Sequence, residues 1–208
     1  MTPRSFQEAA GLAAILAGVG GFLYSISFVV ISRAAPGLGM ALSGLFLLLG
    51  GLLTSAVTIA LYERFRPLAG AYALWAAAVG VAGALGSAIH GGYDLATALH
   101  PASQSPDLPN QVDPRGLATF GLSGLSLIVF GVLIGAAREF PAPLGVLAIV
   151  SAALLLVLYL ARLVILSPTN PLVLLPAAVE GFVVNPAFYV WLGLRLRAAP
   201  LRSAATAS

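Results

Sequence analysis

The chain has 208 residues, 60% hydrophobic and only 8% charged, with a mean hydropathy of +1.01. A water-soluble domain carries about one quarter charged residues, so this composition excludes one and indicates an integral membrane protein. All ten basic residues are arginine, the net charge is +3, and the absent cysteine removes disulfide, thiolate-metal and thiol-nucleophile chemistry.

The first apolar segment, near residues 9–31, follows one arginine, Arg4, and is too long for the core of a signal peptide, so it reads as a retained spanning helix. Further apolar segments lie near 38–61, 68–89, 117–137, 144–166 and 172–194. Each has about twenty residues or more, enough to cross a hydrocarbon core of roughly 30 Å. Proline and arginine punctuate the joints at Arg33–Pro36, Arg64–Pro67, Arg138–Pro141 and Ser167–Pro171, because proline cannot continue a helix. One connection is long, an external loop over 91–116. The expected fold is all-α: a polytopic membrane protein with a six-transmembrane-helix bundle, one domain over 1–208.

Arginines flank the spans, which reads as membrane orientation and not as a nucleic-acid footprint. Arg4, Arg64, Arg66, Arg138, Arg195, Arg197 and Arg202 fall on the N-terminal side; Arg33, Arg115 and Arg162 fall on the other. That asymmetry predicts both termini in the cytoplasm. Glycines such as Gly80, Gly83, Gly131 and Gly135 suit close helix packing, within the chain rather than in a homodimer. The turns "ERFRPL" and "REFPAPL" resemble each other, a hint of duplicated hairpins. Thr54, Thr58 and Tyr62 form a stripe expected to satisfy backbone carbonyls and pack between helices. Trp75, Trp191, Tyr62 and Tyr189 fit interfacial aromatic belts.

Polar side chains in the apolar runs mark the candidate site. His90, Tyr93 and Asp94 end the third segment; His90 and Asp94 share a face only if the helix continues through Gly91-Gly92. Asp113-Pro114 is a helix-start signal that leaves Arg115 to face a pocket or lipid head groups. Arg162 lies roughly 6 Å and Glu180 roughly 12 Å inside the outer surface at 1.5 Å per residue. A carboxylate at that depth faces the bundle interior, finds a partner or holds a proton, and Arg162 is the expected partner. That pair is either a clamp between helices or part of an outward-facing pocket. Asn185-Pro186 removes a helical hydrogen bond and predicts a kink. Glu180 and Asn185 stand about 140° apart on an ideal helix and need not share a site.

The ligand-binding candidates are His90, Tyr93, Asp94, Arg115, Arg162, Glu180 and Asn185. Two histidines without ligand spacing argue against a metal, and no nucleotide loop, zinc-protease motif or nucleophile elbow appears, so no catalytic residue or cofactor is assigned. The motifs "IHGGYDLA", "DPRGLATFGLSGL" and "PTNPLVLLPAAVEGFVVNPAFYVWLG" resemble bacterial six-span membrane proteins carrying only a domain-of-unknown-function label. The resemblance implies a six-helix bundle in a cytoplasmic membrane and supplies no activity. Three functions fit: binding or sensing of a small amphiphile or lipid in an outward-facing polar pocket, an accessory subunit partnered with another membrane protein, or an intramembrane enzyme using His90, Asp94 or Glu180. The scarcity of broken helices argues against active transport.

Overall fold

Five long apolar helical runs, Ser5–Ala34, Pro36–Leu99, Ala118–Ala136, Ala142–Val164 and Pro171–Ala198, make up the chain in the computed structural model, which describes residues 3–100, 117–165 and 170–198. Their mean hydropathies run from 1.5 to 2.7, and no strand occurs among the described residues. The α-helical elements are α1 (Pro3–Ser25), α2 (Ser32–Ala34), α3 (Pro36–Leu99), α4 (Leu122–Ala136), α5 (Ala142–Val164), α6 (Pro171–Val179) and α7 (Asn185–Ala198). Three π-helical turns, Ile26–Ile31, Leu117–Gly121 and Glu180–Val184, join α1 to α2, precede α4, and join α6 to α7.

The 64 residues of α3 would stretch about 96 Å if straight, some three times the hydrocarbon thickness. They do not stay straight. Pro67 lacks an N–H, and two residues later Ala69 leaves the helical region at φ −150°, ψ 59°. The chain doubles back there, so its limbs run antiparallel, Gly44 against Gly91 and Leu95, Gly51 against Ala84 and Ala88. The segments expected at 38–61 and 68–89 are therefore two helices within α3, meeting at this kink and packed antiparallel.

The second limb also runs further than expected, to Leu99, so the loop predicted to begin at 91 does not begin there. The helix does continue through Gly91-Gly92, and Gly91 is a point of close approach between the limbs, where an added Cβ would lie 2.4 Å from the carbonyl oxygen of Gly44. Arg115 and the Asp113-Pro114 signal lie outside the described residues.

Alanines fill many of the interior helix contacts, and many large aliphatic side chains face outward. Ala14, Ala60, Ala73, Ala76, Ala148 and Ala152 are fully buried, while Leu12, Leu52, Leu74, Val132, Val146 and Leu160 are exposed. So many exposed large aliphatics beside buried alanines match packing in lipid, where contact, not water, drives helices together. The threonine stripe behaves as predicted: Thr54 Oγ1 donates to the Gly50 carbonyl at 2.9 Å and Thr58 Oγ1 to Thr54 at 2.9 Å.

One end of the bundle is solid. Phe65, Phe130, Phe140, Leu144, Phe188 and Leu192 form its core. Above them Arg64 Nε donates to Glu139 Oε1 at 2.9 Å, with the guanidinium 5.8 Å from the Phe140 ring centre, and Arg195 Nη2 donates to the Glu139 carbonyl at 2.9 Å. Gln7 Nε2 donates to the Ala60 carbonyl at 2.9 Å at the same end. The start of α1, the turns at Arg64 and Glu139 and the end of α7 thus share one end of the bundle. The other half of the bundle is hollow.

Candidate functional site

The hollow half encloses a cavity of about 410 Å³, lined from every long helix. That volume falls in the range of small-molecule sites. The three π-helical turns all border it, contributing Phe28 and Val29, Thr119 and Phe120, and Glu180 and Gly181. A π-helical turn takes one more residue than an α-turn, which breaks the register of a helix and turns new side chains inward; such turns concentrate at functional sites.

Glu180 shows what the register change does. The Asn185 N–H bonds the Glu180 carbonyl, five residues back, in place of the usual four. Residues five apart then stack as residues four apart do in an α-helix, so Glu180 and Asn185 both line the cavity. The expectation that they diverge by 140° assumed ideal α-geometry and is corrected by this turn. Pro186 supplies its cause: an α-helix would leave the Phe182 carbonyl without a donor, and the wider turn accommodates that loss. Asn185 itself lies over Gly21 of α1, and Gly181 against Ser25, where side chains on the glycines would collide.

The Glu180 carboxylate is 6% exposed. Oε1 accepts from the hydroxyl of the fully buried Ser151 of α5 at 2.5 Å, and Oε2 accepts no hydrogen bond, although the Asn185 side chain lies beside the carboxylate. Arg162 is not its partner. The guanidinium lines the same cavity but donates through Nη1 to the Ile165 carbonyl at 3.1 Å, at the end of its own helix. The predicted Arg162–Glu180 pair is thus replaced by Ser151–Glu180. The reason is geometric: Ser151 lies eleven residues before Arg162, about three turns deeper, level with the carboxylate.

His90 and Asp94 do share a face, because the helix passes through Gly91-Gly92 unbroken. His90 Nε2 lies 3.5 Å from Asp94 Oδ2, and His90 Nδ1 lies 3.0 Å from Thr119 Oγ1. Tyr93, by contrast, is 41% exposed and does not line the cavity. Of the seven candidates, His90, Asp94, Arg162, Glu180 and Asn185 therefore converge, Tyr93 faces outward, and Arg115 lies outside the described residues. No group of three or more His, Cys, Asp or Glu suited to a metal occurs among the described residues.

Sequence reasoning missed Ser151, Thr119 and the aromatic wall. Apart from Tyr159, Ser151 is the one hydroxyl in the apolar run of α5, and that isolation was the available signal. Tyr189, assigned above to an aromatic belt, instead borders the cavity together with Tyr24, Phe28, Phe46, Phe120 and Tyr159. Tyr24 and Phe28 stack in parallel, with ring centres 5.7 Å apart.

Comparison with family models, curated proteins and solved structures gives no match, so the resemblance to six-span bacterial proteins rests on its three motifs alone.

Proposed function

We propose that the chain is a six-span membrane protein that binds a small amphiphile in this cavity. The two limbs of α3 each cross the bilayer, both termini lie in the cytoplasm with the arginine-rich solid end, and the hollow half opens toward the outer face. The observation that carries the reading is the combination of aromatic walls with a buried, incompletely bonded carboxylate in one cavity of ligand size. A native-mass-spectrometry experiment on protein extracted in mild detergent tests it. Gly50 lines the cavity, and a Cβ there meets nothing within 4 Å, so Gly50→Phe is expected to fill the space without displacing backbone. Wild type is expected to carry a co-purifying small molecule that the folded Gly50→Phe protein lacks. An identical bound species in both, or none in wild type, overturns the reading.

A second reading, an intramembrane enzyme, is favoured by one observation. Thr119, His90 and Asp94 form a chain of hydroxyl, imidazole and carboxylate, the order that activates an oxygen nucleophile. Covalent capture of a fluorophosphonate at Thr119, abolished by His90→Ala, is the result it requires. Unlabelled, folded protein would leave the chain as a structural brace between α3 and the turn before α4.

A further inference from the structure

Among the described residues, the cavity is lined by two carboxylates, Asp94 and Glu180, one guanidinium, that of Arg162, and the imidazole of His90. Asp94 has His90 beside it, and Arg162 is engaged with a backbone carbonyl. Glu180 is different. It forms no ion pair with any described side chain, its hydrogen-bonding neighbours are the neutral Ser151 hydroxyl and the neutral Asn185 side chain, and Oε2 accepts no hydrogen bond among the described residues. A negative charge taken out of water with only neutral partners is expensive, and a positive charge brought beside it in the same low-dielectric space offsets that cost.

The wall chemistry agrees. Tyr189 lies within electrostatic range of Glu180 and Tyr24 within range of Asp94, and both rings border the cavity. Aromatic faces attract cations most strongly where water is excluded. Oε2 is itself buried behind the cavity surface, so a ligand need not touch it or donate a hydrogen bond to it; charge and ring faces suffice.

Resting on the cavity reading above, we propose that the ligand is a lipophilic cation, an organic amine or onium compound, with its positive centre held between Glu180 and the aromatic wall. Neutral amphiphiles of the same size lack that attraction, and anions are repelled by the Glu180 carboxylate.

Tetraphenylphosphonium tests this, because it is permanently charged and donates no hydrogen bond. The full chain in nanodiscs is titrated with the radiolabelled cation by scintillation proximity, with empty nanodiscs as background. Unlabelled tetraphenylphosphonium, neutral triphenylphosphine oxide and tetraphenylborate, an anion of the same shape, serve as competitors. Saturable binding is expected, with the cation preferred over the neutral and anionic competitors by about tenfold or more, a difference of about 1.4 kcal/mol. Glu180→Gln is expected to remove that preference and Glu180→Asp to retain part of it. Competition by the neutral compound at equal strength sinks the cation while leaving the cavity reading intact; this is the outcome if Glu180 holds its own proton when the ligand binds. Unchanged cation binding in Glu180→Gln has the same consequence. No saturable binding by wild type, with no co-purifying molecule found, overturns both. The wild-type comparison stands even if a Glu180 variant fails to fold.

Discussion

Ser151 and Glu180 carry the most exposed energetic claim at the level of single residues. A hydrogen bond to a charged group contributes about 1.5–3 kcal/mol, and here the Ser151 hydroxyl supplies a short one to Oε1. Ser151→Ala should therefore lower the melting temperature in detergent, by the equivalent of about 1–3 kcal/mol. In a Glu180→Leu background the same substitution should cost far less, since the serine hydroxyl then has only the carbonyl of its own helix to bond. The difference between backgrounds should reach about 1–2 kcal/mol, the range for directly bonded side chains. Equal costs in both backgrounds would show that the two are not coupled. Glu180 was legible as a buried site from its depth in an apolar run. Its partner was not, because arginine was sought as the conventional counter-ion and a serine in an apolar run carries no charge to draw the eye.

Among the helices, small residues decide how closely neighbours approach, and one adjacent pair isolates the effect. A Cβ on Gly51 would lie 2.4 Å from the Ala84 carbonyl oxygen and 2.6 Å from the Ala88 nitrogen, whereas one on Gly50 meets nothing within 4 Å. Backbone cannot swing aside as a side chain can, so Gly51→Ala must push the limbs of α3 apart, at a cost of about 1–3 kcal/mol. Gly50→Ala should be neutral or slightly stabilising, since alanine is the better helix former by roughly 0.5–1 kcal/mol. Thermal unfolding of the two variants side by side checks this, and equal melting temperatures would mean the limbs are not in this contact. Apolar length made the helices legible, and Pro67 marked the reversal near Ala69. Gly91-Gly92 misled because glycine signals both a helix end and a close helix crossing, and sequence does not say which. The π-helical turn at Glu180 was half legible: Pro186 announced a lost hydrogen bond, but whether a helix kinks or gains a residue depends on what packs beside it. Here Ser25 of α1 leaves room for the wider turn only because Gly181 carries no side chain, and Asn185 fits against α1 only because Gly21 carries none.

For the molecule as a whole, the solid half and the hollow half give the topology a physical meaning. Arg64, Arg195 and the Glu139 turn tie the solid end together, with the Arg64 side chain 5% and that of Glu139 29% exposed. Arg33 and Arg162 sit at the other end, where α2 and α5 finish. An excess of arginine marks the cytoplasmic side of short loops, so the solid end should face the cytoplasm and the cavity the exterior. The decisive segment is the second limb of α3. If it crosses the bilayer, residues just after the reversal at Ala69 and residues beyond Leu99 lie on opposite faces. The chain has no cysteine, so single thiols can be introduced without a background. Gly70→Cys is suitable because nothing lies within 4 Å of an added Cβ, and Ser103→Cys places a second thiol past the end of α3. A membrane-impermeant maleimide applied to sealed right-side-out vesicles should label Ser103→Cys and leave Gly70→Cys unreacted. Inverted vesicles should give the reverse pattern. Labelling of both thiols from the same side would mean that the second limb does not cross, and the six-span reading would fall. Labelling on opposite sides, but with Gly70→Cys facing outward, would keep six spans and turn the cavity toward the cytoplasm.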